Sequence, residues 1–500
     1  MCDTPAEREL AEELAGFRPD LTAAYLAALP GARAAVLARL WRGLVHEPLP
    51  WIADRARGGD GLSVRLTDGR LLHGPPSDPW ATGTAVAAVE LDGVPYDHPA
   101  SLMAALKVPG GEPFAAELDH STASLALSRT APPPAGPPSE PWEWEQRSPD
   151  GHPYHPTCRS RPGFSAAEQL AYAPEHRPVV GLRLTPVTGA TVRGSWPSQW
   201  RDGETVLLPV HPWQAEHVLR GRLVLPGPPA HPLLSLRTLA LDRQVHVKTA
   251  LSARLTSQVR DISAYSVAHA RATSELAARV ADRLGGRLHI TRTLAAAGAG
   301  TPDLAVVLRE SPYVHAGTGE QVVPVAELSG HFASHDPHRR SARTTEFARL
   351  ALGVCLELLD LGVALEAHGQ NLLVVVDREG RPRRLVYRDL ADIRISPARL
   401  ARHGLPAPPM TGRLLEDDPT ALRRKVLGCL VTGALGPLAG STAELGALLE
   451  AATRDLSPTA DLQALRTEEL PVKALTLMRL SPAGDRWAHL PNPVRGAAER

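Results

Sequence analysis

Lysine is nearly absent from this 500-residue chain, in which Lys107, Lys248, Lys425 and Lys473 stand among 54 basic residues, the rest arginine. With abundant alanine, glycine and proline, this pattern implies a GC-rich coding sequence in which arginine replaces lysine, so each retained lysine draws attention. Cysteine is scarce too. Cys2, Cys158, Cys355 and Cys429 lie far apart with no CxxC spacing, which argues against a disulfide framework or a structural zinc site. A formal net charge of zero gives no bulk attraction to nucleic acid or an anionic membrane. The first residues show neither a basic nor an apolar leader segment, and no apolar run reads as long enough to cross a bilayer. These absences lead to the expectation of a soluble, cytoplasmic protein with no nucleic-acid or membrane partner.

The length allows two or three domains. Leu10, Leu14 and Phe17, then Leu21, Tyr25 and Leu29, fall at helical spacing, and residues 35–45 continue the pattern. A hairpin at 62–73 turns at Thr67, Asp68 and Gly69. The proline-rich run 131–138 reads as a domain boundary. Short β-runs follow at 179–184, 205–210, 245–249 and 304–308, interrupted by an alanine-rich helix at about 264–284. A helix over 344–365 carries Phe347, Leu350, Val354, Leu358 and Leu361 on one face, and the rest from about 397 is mostly helical. The expected architecture is α+β: a helical N-terminal region (1–140), a β-rich centre (141–315), and a third region (316–500) with a mainly helical C-terminal part.

The richest chemistry lies at Glu366-Ala367-His368-Gly369-Gln370-Asn371, followed by the apolar runs 372–376 and 385–387 and then by Arg388-Asp389. This predicts a β-hairpin with a polar cluster at its start and an acid at its end. Such a corner is able to hold a metal and a nucleotide phosphate. Four further clusters sit in β-type sequence. His152 and His155 precede prolines and lead to Arg159 and Arg161; His211-Pro212-Trp213-Gln214 follows a strand; Ser235-Leu236-Arg237-Thr238 precedes one; Lys248 opens a stretch through Thr256 and Ser257 to Arg260. Singly, each has a plain reading as a turn, a cap or a solvated charge. Together they supply the cations and hydroxyls that triphosphate oxygens need, and the hairpin supplies carboxylates for magnesium. Surplus arginines also suit a polycarboxylate, which guanidinium binds bidentately.

In order, GHPYHPTCRSRPGF, HPWQ, SLRT, KTALSARLTSQVR and EAHGQN…RD resemble the IucA/IucC family of siderophore synthetases that work without a nonribosomal peptide synthetase, over about 151–389, with a weaker echo at 473–480. The resemblance implies a cradle of thumb, fingers and palm with ATP between the last two. It implies that a carboxylic acid (citrate, or a citryl or succinyl derivative) is adenylated with loss of pyrophosphate. A polyamine or amino-acid-like amine, or a hydroxyl, then displaces AMP to give an amide or ester. It carries ATP binding onto Ser235, Arg237, Thr238, Lys248, His368, Gln370 and Asn371, and carboxylate binding onto His155, Arg159, Arg161, Thr256 and Arg260. Arg260, His368 and Lys248 become the catalytic candidates, and Glu366 and Asp389 the magnesium ligands. Many relatives have lysine at the position of Arg159, which bears on which acid is bound. Members are often homodimers. Two other readings stand beside this one: a small-molecule kinase of the aminoglycoside- or choline-kinase type, lacking a glycine-rich phosphate loop, and a non-catalytic siderophore-handling protein. A hydrolytic metal site at His152 and His155 is disfavoured because no nearby carboxylate completes a ligand set.

Overall fold

The computed structural model describes residues 2–494 apart from 60, 257, 334–335 and 482–483, so Ser257 lies outside the described residues. The chain begins with two helices, Pro5–Phe17 and Pro19–His46, each opened by a proline whose missing N–H would be unpaired there anyway. A five-stranded antiparallel sheet follows in sequence order (Ile52–Arg57, Leu62–Leu66, Leu71–Gly74, Val89–Leu91 and Val94–Tyr96), then the helices Pro99–Leu106 and Gly111–Ser128. The N-terminal region is therefore mixed rather than helical. Only the hairpin at 62–74 was legible: Val89–Leu91 and Val94–Tyr96 are too short to show alternation, and Ile52–Arg57 is exposed along nearly its whole length and carries no apolar alternation.

Tyr25, Leu29, Leu37, Leu40 and Trp41 of the second helix pack with Phe114 and Leu118 into the core of this region. By length and composition the helix Pro19–His46 is able to cross a membrane, contrary to the sequence expectation. Its second half, from Ala32 to Val45, is instead largely buried against these neighbours, while Ala23, Ala24, Leu26 and Ala27 are exposed. The first helix is tied down by Glu7, fully buried, whose carboxylate accepts from Arg33 Nε at 2.7 Å and approaches His98 Nε2 at 3.3 Å. Burial alone would raise Glu7, but the hydrogen bonds from His98 and Arg33 outweigh it and hold the carboxyl at about 2.

The centre is a nine-stranded antiparallel sheet ordered Thr191–Gly194, Thr293–Gly298, Ala305–Glu310, Val245–Thr249, Thr238–Ala240, Leu225–Pro232, Val180–Thr188, Thr205–Val210 and Arg201–Asp202. The helix Ala264–Asp282 lies on one face, Val267 and Ala270 packing on Ala250, Ala296 and Ala305. The small hairpin Leu251–Leu255/Gln258–Arg260 projects beside it.

A four-stranded sheet, ordered Leu288–Ile290, Pro382–Tyr387, Leu372–Val376 and Gln321–Pro324, anchors the C-terminal region. Leu372–Val376 is buried along its whole length, as its unbroken apolar run requires. The helix Pro337–Asp360 packs Phe347, Leu352 and Leu358 into the same core as Val374, Val376 and Leu385. The remaining helices (among them Pro419–Leu430, Thr442–Thr453 and Ala460–Thr467) and the strand pair Leu470–Lys473/Trp487–Leu490 complete it. The whole is α+β with a β-rich centre and a mainly helical C-terminal part.

Packing cuts across the expected boundaries at 140/141 and 315/316. Cys158 and Ala166 belong to the N-terminal core, and the backbone N–H groups of Arg159 and Arg161 donate to Ser121 Oγ and His120 Nδ1. The strand Leu288–Ile290 pairs with the C-terminal sheet rather than the central one.

Glu7→Gln is expected to lower stability at pH 7 by about 3 kcal/mol, since each pKa unit of depression corresponds to about 1.4 kcal/mol. A depressed carboxyl stabilises above its unfolded pKa and loses that contribution as pH falls through the folded one. The gap between wild type and variant in urea unfolding should therefore close between about pH 4.5 and 2. A gap that stays constant over that range would remove Glu7 from this role.

Candidate functional site: a charged cleft between two sheets

The antiparallel register Leu372↔Tyr387 sets residues 366–371 beside 388–389, and the Arg388 N–H donates to the Asn371 carbonyl at 3.1 Å. The turn at Asp377–Gly380, with Gly380 at φ 73°, closes the far end of the hairpin. The expected corner is therefore real. It forms one wall of a cleft of about 880 Å³ whose opposite wall is the central sheet and its small hairpin.

Lys248, on the strand Val245–Thr249, places Nζ 2.7 and 2.6 Å from the two oxygens of Asp389. Asp389 sits at φ 72°, a left-handed backbone that bends the chain out of the strand toward the cleft. Tyr387, fully buried, fixes both ends of the corner: its hydroxyl accepts from the Glu366 N–H at 3.2 Å and donates to the Asp389 carbonyl at 3.2 Å. Burial would raise Asp389, but Lys248, Arg309 and Arg237 hold it well below the usual carboxylate range. Burial brings Lys248 down to about 7 even beside Asp389, with Arg237 and Arg309 adding repulsion.

The phosphate-type residues converge on this pair. Ser235 and Arg237 lie on a tight turn made by Leu236 at φ 64°, where the Ser235 hydroxyl accepts from the Thr238 N–H. Arg237 is tethered through Nη1 to the Arg260 and Asp261 carbonyls, and burial lowers it to about 10. Arg260 donates to Thr256 Oγ1 at 2.7 Å and to the Leu255 carbonyl at 2.9 Å, with Thr256 in the left-handed region. Thr238 does not line the cleft; its hydroxyl accepts from Arg309 Nη2 at 3.3 Å and so positions a cation that the sequence reading had passed over.

His368 accepts the Gln370 N–H on Nδ1 at 3.3 Å, which leaves its other ring nitrogen as the N–H donor, and burial keeps the ring neutral. Asn371 donates to the Glu366 carbonyl at 3.4 Å. Behind this loop runs a π-helical turn, Val431–Leu435. The Gly369 N–H donates to the Gly433 carbonyl at 2.9 Å, and a Cβ on Gly433 would meet His368 Cβ at 2.6 Å, so only glycine fits there.

Glu366 Oε1 lies 3.1 Å from Lys473 Nζ and 3.5 Å from Lys425 Nζ, and Lys425 also reaches Asp392 at 2.8 Å. Three of the four lysines thus serve this cleft, paired with its acids. Both expected metal carboxylates face lysines here. The described residues that gather three metal-type ligand atoms (Glu168, Glu216 and His217) lie elsewhere.

His155, Arg159 and Arg161 also line the cleft, but the two arginines share one acid, Glu175. Arg161 Nη2 bonds Glu175 Oε1 at 2.7 Å and Arg159 Nη1 lies 3.6 Å from Oε2, while Arg159 Nε donates to the Pro149 carbonyl. Glu175 is buried and held well below the usual range by both cations against its desolvation. Its distance in sequence from the motif hid the pairing. His155 accepts on Nδ1 from the Thr157 N–H at 3.1 Å. The sequence reading also missed Glu145, whose oxygens take Arg388 Nη1 and Nη2 at 2.7 and 2.6 Å, the Tyr313 hydroxyl at 2.8 Å and the Leu234 N–H at 3.3 Å. That pair clamps the corner onto the wall carrying Ser235. The scarcity of lysine pointed to Lys425 and Lys473, and the echo at 473–480 also to Lys473; no local signal marked Glu145, Glu175 or Arg309.

The cradle and its cleft are those of an α+β protein built to hold a polyanion between two sheets. Residues 141–330 match the model of the IucA / IucC family. Residues 344–486 match a second model, the Ferric iron reductase FhuF-like transporter. Among curated proteins the chain is similar to the citryl-spermidine/3,4-dihydroxybenzoyl-citryl-spermidine:spermidine ligase of Bacillus anthracis, 25% identical over 49% of this chain and 50% of that protein. It is likewise similar to the rhizobactin siderophore biosynthesis protein RhbC of Rhizobium meliloti, 26% identical over 48% and 52%. The chain spans about half the length of the curated relatives it matches. Its fold is shared with the petrobactin biosynthesis protein AsbB of Bacillus anthracis, with a TM-score of 0.77 and 20% identity over 96% of this chain and 98% of that one. The ATP-bound aerobactin synthetase IucA of Klebsiella pneumoniae also shares it, with a TM-score of 0.70 and 19% identity over 93% and 99%.

Glu145→Ala should cost about 3–5 kcal/mol in urea unfolding, because it strands the buried Arg388 guanidinium without an anion. A loss below about 1 kcal/mol would show that the clamp is not needed.

Proposed function

We propose that this chain is an ATP-dependent siderophore synthetase. It adenylates a carboxylic acid (citrate, or a citryl or succinyl derivative) and passes the acyl group to an amine or hydroxyl, giving an amide or ester, AMP and pyrophosphate. The observation that carries the reading is the meeting, in one cleft, of Arg237, Lys248, Arg260 and Arg309 on the central side with His368, Glu366 and Asp389 on the hairpin. Attack of a carboxylate on the α-phosphorus builds charge on non-bridging oxygens, and pyrophosphate leaves as a polyanion. Tethered cations stabilise both without reorganising: Arg237 is held by two carbonyls and Arg260 by Thr256. In this reading Ser235, Gln370 and Asn371 also contact the nucleotide, and neutral His368 donates a hydrogen bond rather than taking a proton. Arg260 and Thr256, with His155, face the acid. Arg159 and Arg161 share the single charge of Glu175 and shape that wall.

Carboxylate oxygens are the donors Mg²⁺ prefers, and it is commonly bound by one or two of them plus phosphates. Glu366 and Asp389 fit that role once a triphosphate competes for their lysines, and magnesium would then neutralise phosphate charge. The relatives named as a spermidine ligase and as siderophore biosynthesis proteins support the reaction class, and the ATP-bound neighbour supports the nucleotide. A cytoplasmic location and a homodimer belong to this proposal as well. The kinase reading has no comparable support, and its product, ADP, separates it from AMP and pyrophosphate.

The test is ATP–pyrophosphate exchange over citrate, succinate, α-ketoglutarate and their monoamides. Arg260→Ala and His368→Ala should each reduce acid-dependent exchange by roughly 10²–10³-fold or more while leaving the circular dichroism spectrum intact; wild-type rates in either would sink the assignment. Asp389→Asn should raise the magnesium concentration needed for half-maximal rate or abolish the reaction, and an unshifted magnesium titration would count against its metal role.

A further inference from the structure

Every acid lining the cleft has a partner: Asp389 has Lys248, Glu366 has Lys473, Asp392 has Lys425, Asp485 lies 3.8 Å from Lys473, and Asp261 accepts from Ser252. Among the described cleft cations Arg237, Arg260 and Arg42 meet no acid within ion-pair distance, and of these three Arg42 alone keeps a buried nitrogen without a hydrogen-bond partner. Arg42, on the N-terminal helix Pro19–His46, lines the cleft yet is only 6% exposed. Its Nε donates to the Pro79 carbonyl at 2.7 Å and its guanidinium lies 4.4 Å above the Tyr154 ring, but its buried Nη2 has no hydrogen-bond partner among the described residues. No carboxylate of the described residues lies within ion-pair distance. The two nearest acids are committed elsewhere: Glu47 accepts the N–H groups of Thr476 and Leu477 at 3.1 and 2.8 Å, and Asp78 accepts from Thr442 at 2.8 and 2.6 Å.

A buried guanidinium without an anion is costly, and such a charge persists where a ligand supplies the missing partner. Next to it, His152 accepts the N–H groups of Tyr154 and His155 on Nδ1, both at 3.2 Å, so its Nε2–H is a second donor. The ring is open to the cleft, and its pKa is lowered. A planar fork beside a neutral N–H donor suits a carboxylate and offers nothing to a polyamine.

We propose that Arg42, with His152, forms a carboxylate subsite on the wall contributed by the N-terminal region, apart from the phosphate cations, and that it sets substrate specificity. The ligand is a carboxylate carried either by the acid, as a group distal to the one activated, or by the nucleophile, as in an amino acid. The inference rests on the synthetase reading for its substrates.

Calorimetric titration of the full chain tests it without catalysis, using citrate and 2,3-diaminopropionate as probes and spermidine as the carboxylate-free control. Arg42→Gln is expected to weaken one of the two carboxylates by about 10- to 100-fold, the range of a charged hydrogen bond, and to leave spermidine and ATP unchanged. Loss for citrate assigns the subsite to the acid, and loss for diaminopropionate to the nucleophile. Arg42→Lys, which keeps the charge but not the fork, should give a smaller loss of the same ligand. Equal affinities in wild type and both variants, or no binding of either carboxylate by wild type, would overturn the subsite. Absence of ATP–pyrophosphate exchange in a wild-type protein that still shows this discrimination would instead sink the synthetase reading alone.

Discussion

Lys248 and Asp389 meet across the cleft from two different sheets, and much of the site is organised around their contact. The lysine comes from the middle of an antiparallel strand in the central sheet, the aspartate from a left-handed residue just past a hairpin in the C-terminal one. Two neighbouring devices hold the pair in register. Tyr387 ties the backbone of Asp389 to that of Glu366, and the Arg388–Glu145 pair pins the adjoining residue to the wall that carries Ser235. Glu145 is buried and hydrogen-bonded on both oxygens, which is the condition for a buried ion pair to be tolerated.

The charge pattern extends this arrangement outward. Cations reach the cleft from the central sheet, its hairpin, the C-terminal strands and the N-terminal helix, and the acids among them are matched locally by lysines. What remains is an excess of guanidinium groups tethered by carbonyls rather than by carboxylates. Such groups are poised for an anion and need little rearrangement to receive it. Arg159 and Arg161 are the exception, because they share a carboxylate, that of Glu175. Arg42, a cation from outside the recognised motifs, likewise meets no acid among the described residues, and its Nη2 has no hydrogen-bond partner there.

The small residues of the site follow from close approach. Gly433, in a π-helical turn, lets His368 sit against the helix backbone, and its carbonyl takes the Gly369 N–H. The π-turn, the glycine and the His368 loop form one packing unit, although about sixty residues separate them in the chain.

What was legible in the sequence was local. The hairpin at 372–387 was announced by its apolar runs and polar turn, and four of the nine central strands by short β-type runs. The convergence of Ser235, Arg237, Lys248, Arg260, His368 and Asp389 was signalled by ordered motifs. The scarcity of lysine marked the residues that now pair with the cleft acids. The short N-terminal strands were not legible, because three residues carry no period. Nor was the apolar helix Pro19–His46 distinguishable from a membrane span except by what packs on it. Above all, the sequence shows which side chains are charged but not which are already neutralised. Glu175 and Glu145 lie in stretches without a motif, and only the tertiary structure brings them to Arg161 and Arg388 while leaving Arg42 without an acid. Ion pairing depends on distances of a few ångströms between residues far apart in the chain, and that is fixed by packing, not by order.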